Sequence, residues 1–245
     1  MRLEMAALTN KGRVRENNED SLYADVRDRV SIVCDGMGGH AGGQVASELA
    51  VQVMSHALRQ LKSDDWQDED RIVEAMKQAV FGANDHILSR ARLDHELYDM
   101  GTTMVSCVFM DDRVITANVG DSRIYRIVGQ TIEQVSNDHS LVAERIRAGQ
   151  LDPDSAEASM LANIITRALG MEQVTVDITI EDLQVGDLYL LCSDGLCDML
   201  TDPDMLRLVT EASSLDAACI SLIDQANENG GIDNITVALI RALPA

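Results

Sequence analysis

Asp35-Gly36-Met37-Gly38-Gly39-His40-Ala41-Gly42-Gly43 separates two segments of different rhythm, and the contrast between them decides the fold class. Before it, residues 30–34 form a short apolar run that reads as a buried strand. After it, Val45, Leu49, Val53, Ala57 and Leu61 recur four apart, which predicts an amphipathic helix over 44–61. Residues 70–93 keep the helical period through Ile72, Met76, Val80, Ala83 and Ile87. Further on, residues 103–109, 113–119, 122–128 and 131–135 are short and rich in β-branched side chains. Asp111-Asp112, Gly120-Asp121 and Gly129-Gln130 divide them, as the turns of an antiparallel meander would. A helix is predicted over 140–148 and a polar, irregular stretch over 149–158. Strands are predicted over 174–180 and 188–193, turned at 185–187. Helices over 205–210 and 215–227 follow, the second capped by Ser214, and then a last strand over 235–241. Groups of strands beside pairs of helices predict an α+β fold whose sheets are covered by helix pairs.

The 245 residues contain three prolines and no Pro- or Ser-rich linker, so one domain over 1–245 is expected. Aromatic residues make up only 3% of a chain that is 46% hydrophobic, so the core must be aliphatic and methionine-based. Forty-one acidic residues against 20 basic give a net charge of -21, which argues against nucleic acid or an anionic membrane as partner. No apolar run reaches membrane-spanning length and the N-terminus lacks signal-peptide character, so a cytoplasmic monomer without membrane insertion is expected. Five cysteines at irregular spacing fit reduced thiols.

Five acidic motifs stand at predicted strand ends or turns: Glu19-Asp20, Asp35-Gly36, Gly120-Asp121, Asp194-Gly195 and Asp233-Asn234. Each alone reads as a turn, because Asp and Gly serve turns through local hydrogen bonds and backbone freedom. Asp35 and Asp194, however, each follow an almost wholly apolar strand. Carboxylates brought together at such places repel one another, and divalent cations with a taste for oxygen, Mg²⁺ or Mn²⁺, remove the conflict.

The segment Arg15-Glu16-Asn17-Asn18-Glu19-Asp20-Ser21, followed by residues 35–43, resembles the opening of bacterial PP2C-type (PPM) phosphatases. The likeness continues in order through Gly101-Thr102-Thr103, Gly120-Asp121-Ser122-Arg123, Asp138-His139-Ser140, Thr166-Arg167-Ala168-Leu169-Gly170, Ser193-Asp194-Gly195-Leu196 and Asp233-Asn234-Ile235-Thr236. It implies a four-layer αββα sandwich, with two central antiparallel sheets flanked by helix pairs and a flap subdomain at about 138–170. It implies two core Mn²⁺ or Mg²⁺ ions and a looser third. Asp35 would bridge the core pair, the Gly36 carbonyl would bind one of them, and Glu19, Asp194 and Asp233 would complete the second site. Asp20 would orient the attacking water, and Asp121 with Asp194 would hold the third ion. Arg15 would grip the phosphate, and His40 would protonate the leaving alkoxide. The implied activity is hydrolysis of phosphoserine and phosphothreonine in protein substrates, opposing a Ser/Thr kinase. A non-catalytic metal-binding module of the same fold is the alternative, and the retention of an acid at every mapped metal position favours the enzyme.

Two other motifs lead elsewhere. Cys107 and Arg113 have the Cys-x5-Arg spacing of thiol phosphatases, but Cys107 lies inside a strand pattern with Asp111-Asp112 where a phosphate cradle should be. Gly36-x-Gly38-x-x-Ala41 has dinucleotide-fingerprint spacing, but the helix after it leads to a second helix, and residues 52–62 lack a ribose-binding acid.

Overall fold

The computed structural model describes residues 1–39, 41–62, 65–161 and 164–245. In chain order it contains β1 (Arg2–Asn10), β2 (Asp20–Asp25), β3 (Val30–Met37), α1 (Gly42–Leu58), α2 (Glu69–Leu93), β4 (Gly101–Thr102), β5 (Met104–Phe109), β6 (Arg113–Val119), β7 (Arg123–Val128) and β8 (Thr131–Gln134). There follow α3 (Leu141–Arg147), α4 (Ala156–Leu161), β9 (Asp177–Asp182), β10 (Leu188–Cys192), α5 (Asp194–Cys197), α6 (Asp202–Glu211), α7 (Leu215–Glu228) and β11 (Ile235–Leu243). One sheet has the order β1-β11-β10-β7-β8. The other has the order β2-β3-β5-β6-β9, with β4 also paired to β3. Every pairing is antiparallel.

Three apolar layers hold four structural ones together. Val30, Ile32 and Cys34 alternate with Ser31 and Val33 along β3, so the first set faces α1 and α2 and the second faces the other sheet. Met54, Ile72 and Met76 fill the helix side with Ile32, Met104 and Ile115. Met205, Val209, Leu222 and Ile223 from α6 and α7 do the same against Tyr125, Leu190 and Leu239 of the other sheet. Between the sheets lie Val33, Val105, Phe109, Ile124, Tyr189, Leu191 and Ile240. Phe109 meets Tyr189 edge-on with ring centroids 5.7 Å apart, the geometry favoured by aromatic quadrupoles. The expected αββα order is therefore the one observed. Ser214 caps α7 as predicted, accepting from Ala217 N–H at 3.1 Å.

Several boundaries differ from the sequence reading. β1 and β2 were not anticipated; both are edge strands, and β2 (Asp-Ser-Leu-Tyr-Ala-Asp) has no apolar run to announce it. The strand predicted over 174–180 is β9, at Asp177–Asp182. β3 continues three residues past Cys34, so Asp35-Gly36 is strand and not a turn: Asp35 pairs with Asp20 of β2, and Gly36 with Thr102 of β4. Among the described residues, no helix is long and apolar enough to cross a membrane.

Candidate metal centre

The register of β2 on β3 places Asp20 directly opposite Asp35, on the face that looks toward the other sheet. Like charges directly opposed across strands are destabilising, so this pairing calls for a compensating cation or proton. From the other sheet come Asp194, where β10 passes into α5, and Asp233, in the loop that leads into β11. The two pairs meet at the seam between the sheets, around a cavity of about 340 Å³ lined by Arg15, Glu19, Asp35, Gly36, Asp194 and Asp233, with Ile165 and Ile232 at its apolar side.

Hydrogen bonds fix these groups across long stretches of chain. Ser193 Oγ donates to Asp20 Oδ2 at 2.8 Å and accepts from Thr236 N–H at 3.0 Å. Asn234 Oδ1 accepts from Glu19 N–H at 2.7 Å, while its amide donates to the carbonyls of Lys11 and Asn17, each at 2.9 Å. The Glu19 carbonyl in turn accepts from Gly36 N–H and Ser47 Oγ. Gly36 and Gly43 allow the backbones of β3 and α1 to touch behind Glu19. A Cβ on Gly36 would fall 2.1 Å from the Gly43 carbonyl oxygen, and one on Gly43 would fall 2.5 Å from Glu19 Oε2.

Burial and mutual repulsion raise the carboxylate pKa values. Asp20 is pushed up to about 7, chiefly by burial, against the opposing pull of Thr236 and Ser193. Asp194 rises to about 6, through burial first and then the charges of Asp198 and Asp233. Asp35, half-buried and facing Asp20 and Asp194, rises well above the ordinary carboxylate value, through desolvation first and then their charges. Burial also raises Glu19.

Asp20 Oδ1 and Asp194 Oδ1 are buried without any hydrogen-bond partner. Orphaned carboxylate oxygens are costly, and they are the hard donors that a divalent cation selects, so the residues present fit such an ion. Among the described residues, no three acidic, imidazole or thiol groups are already gathered as a ligand shell. The carboxylates instead engage one another and Arg15, whose Nη2 lies 2.6 Å from Asp233 Oδ2. An ion entering the seam would have to compete with Arg15 for Asp233.

A second cavity of about 110 Å³ opens beside the first, and Asp194 and Asp198 line both. Its other walls include Asp121, Arg123 and Asp138. Burial, then the charge of Asp194, raises Asp121 to about 7. A larger hollow of about 640 Å³, near Trp66 and the β5–β6 turn, contains none of the motif residues.

The structure thus brings Glu19, Asp20, Asp35, Gly36, Asp194, Asp233 and Arg15 to one seam and Asp121 to the adjoining cavity. Arg15 pairs with Asp233, at the far end of the chain. His40 lies outside the described residues. Sequence reasoning passed over Ser193, Asn234 and Asp198. Ser193 and Asn234 adjoin named acids, and Asp198 stands four residues after Asp194, the one-turn spacing that signals a shared helix face. Cys107 sits fully buried between the sheets, and burial drives its thiol pKa far up, the reverse of what a nucleophile needs. Cys107→Ser is expected to retain activity within about twofold in a phosphopeptide assay, allowing for a modest packing change; loss of turnover in a folded variant would reopen thiol chemistry.

A helix-flanked double sheet with an acidic seam defines a hydrolase architecture built for divalent cations, and a family model places it: residues 10–224 match the family Protein phosphatase 2C, to which the chain belongs. It is 37% identical over 242 residues to the Serine/threonine phosphatase stp of Listeria welshimeri, covering 95% of this chain and 93% of that one. Its structure matches the crystal structure of the Mycobacterium tuberculosis serine/threonine phosphatase PstP/Ppp over 100% of both chains, with a TM-score of 0.91 and 33% identity. It also matches the catalytic domain of the serine/threonine protein phosphatase PstP in complex with two manganese ions, with a TM-score of 0.86 and 32% identity over 99% of both chains.

Proposed function

We propose that this chain hydrolyses phosphoserine and phosphothreonine in proteins with the help of Mn²⁺ or Mg²⁺. The observation that carries the reading is the convergence of Asp20, Asp35, Asp194 and Asp233 at the sheet seam, with buried oxygens of Asp20 and Asp194 left without donors. Asp35, the Gly36 carbonyl, Glu19, Asp194 and Asp233 would hold two core ions, and Asp121 with Asp194 a third. Such ions, when bound, neutralise the phosphoryl oxygens and lower the pKa of water.

The chain's own groups do the rest. Arg15, its side chain 54% exposed at the cavity mouth, exchanges Asp233 for the phosphate and grips it with two N–H groups of its planar fork. Asp20 is held at Oδ2 by Ser193, which leaves Oδ1 to orient the attacking water. His40 supplies the proton to the departing serine or threonine oxygen. The segment carrying α3 and α4 serves as the flap over the substrate. A net charge of -21 suits phosphoproteins with basic flanks, a Ser/Thr kinase among them, with an association that weakens as salt rises. On this reading the enzyme works in the cytoplasm as a monomer.

Phosphate release from a phosphothreonine peptide tests the proposal: turnover is expected with Mn²⁺ and none after EDTA. Activity that survives chelation, or binding without turnover, would refute it. Within the same assay, Arg15→Ala is expected to lower kcat/KM by roughly 10- to 100-fold, mostly through KM, as loss of a charge-assisted contact does. An unchanged KM would return Arg15 to a purely structural pairing with Asp233.

A further inference from the structure

Asp121 stands in the short turn between β6 and β7, and one dipeptide grips both flanks of that turn. On the near side, His139 is completely buried and holds Gly120 at two points. Gly120 N–H donates to His139 Nδ1 at 3.1 Å, and His139 N–H donates to the Gly120 carbonyl at 2.9 Å. On the far side, Asp138 receives Arg123 through both Nε, at 3.0 Å, and Nη2, at 2.7 Å. Gly120 adopts φ +104°, and a Cβ there would fall 2.6 Å from Thr103 Cγ2, so this turn tolerates only glycine and little displacement.

The imidazole faces a second set of partners. Because Nδ1 accepts, the ring proton lies on Nε2, which donates to Asp177 Oδ2 at 3.1 Å. Asp177 Oδ1 accepts from Arg167 at 3.0 Å, and the His139 carbonyl accepts from Thr166 N–H at 2.8 Å. Thr166 and Arg167 lie where the chain returns from α4, so the bonds that fix the Asp121 turn continue into the stem of the α3–α4 segment.

We propose that Asp138 and His139 are positioning residues for Asp121, and that they link cation affinity at the second cavity to the stem of the α3–α4 segment. The inference rests on the reading of Asp121 as a cation ligand. Groups that orient ligands from behind commonly alter metal affinity 10- to 100-fold.

Two mild substitutions separate the two faces of the ring. His139→Asn keeps an amide oxygen near the place of Nδ1, toward Gly120. His139→Gln keeps an amide near the place of Nε2, toward Asp177, and loses the acceptor for Gly120. Mn²⁺ titration calorimetry of the full chain is expected to show the weakest class of sites about tenfold weaker in His139→Gln, and within about threefold of the parent in His139→Asn. The tighter class should be unchanged in both. Amide exchange of the metal-free protein is expected to show Gly120 protected in the parent and in His139→Asn, and exchanging at least about tenfold faster in His139→Gln. Equal behaviour of the two variants in both measurements would overturn the proposal, as would weakening of all ion classes together. Asp121→Asn is the control for the underlying assignment. If it leaves the isotherm unchanged, Asp121 is no cation ligand, and the Gly120 exchange rate alone decides whether His139 holds the turn.

Discussion

Asp35→Asn is expected to lower kcat/KM by about three orders of magnitude, or ~4 kcal/mol of transition-state stabilisation, while raising the melting temperature of the metal-free protein. The two effects have one origin. Asp35 is half-buried opposite Asp20, and desolvation together with the charges of Asp20 and Asp194 pushes its pKa upward. An asparagine has the same shape and carries no charge. It removes the like-charge conflict of the metal-free seam and, with it, the anionic oxygen that would draw cations in. Stability stored against function in this way is a known pattern of active sites. Phosphopeptide turnover and thermal unfolding in EDTA, measured on the same preparation at pH 8, check both halves. A variant that loses activity and also melts lower would show that Asp35 acts chiefly through packing.

The pH dependence of stability should reverse when ions are supplied. Asp20 and Asp121 titrate at about 7 in the folded chain, and Asp194 at about 6, against ordinary values near 3.8. The folded protein therefore holds more protons than the unfolded chain across this range, and stability falls as pH rises. The contribution is complete below about pH 4 and is lost as pH passes through 6 to 7. For Asp20 alone the shift corresponds to something on the order of 4 kcal/mol. In EDTA, the melting temperature is expected to drop steadily between pH 5.5 and 8. In saturating Mn²⁺ it should hold or rise over the same range, because ions bind the deprotonated seam and compete with protons below it. Parallel curves with and without Mn²⁺ would mean that these carboxylates are not where ions bind.

Much of this was legible in the sequence, and what was not has physical reasons. The apolar period of residues 70–93 announced α2 because Ile72, Met76, Val80, Ala83 and Ile87 are its buried stripe, whereas α1 buries Ala46, Ala50, Met54 and Leu58, one position on from the Val45–Leu61 period, whose residues pack only at the edge of that core. The strands β5, β6 and β10 were plain because both of their faces are buried, so every position carries the signal. β1 and β2 sit at sheet edges and bury little, and their sequences show no alternation strong enough to read. The site divides in the same way. Asp35 and Asp194 drew notice from the apolar strands before them, and the ordered motifs supplied Glu19, Asp121 and Asp233. No pattern along the chain could disclose that Arg15 meets Asp233, or that Ser193 supports Asp20, because those pairs are 218 and 173 residues apart. For the same reason, spacing alone left Asp35-Gly36 as a turn. The partners that make it strand, Asp20 and Thr102, come from two other parts of the chain.

The place of β11 in its sheet has a consequence for how the protein comes to life. β11 follows every other strand in the chain, yet it lies between β1 and β10 and is hydrogen-bonded to both. Asp233 and Asn234 arrive immediately before it, and Asn234 is what ties Glu19 to the opposite sheet. During synthesis, β1 must therefore wait without a strand neighbour until β11 is made, and the acidic seam stays open on one side. Ordering contacts this distant in sequence is slow, and it comes late on the folding path. A growing chain on the ribosome, however much of its α1–α2 layer has formed, lacks Asp233 and Asn234 at the seam until β11 slides in, so the seam is assembled only after Ile235–Leu243 has been made.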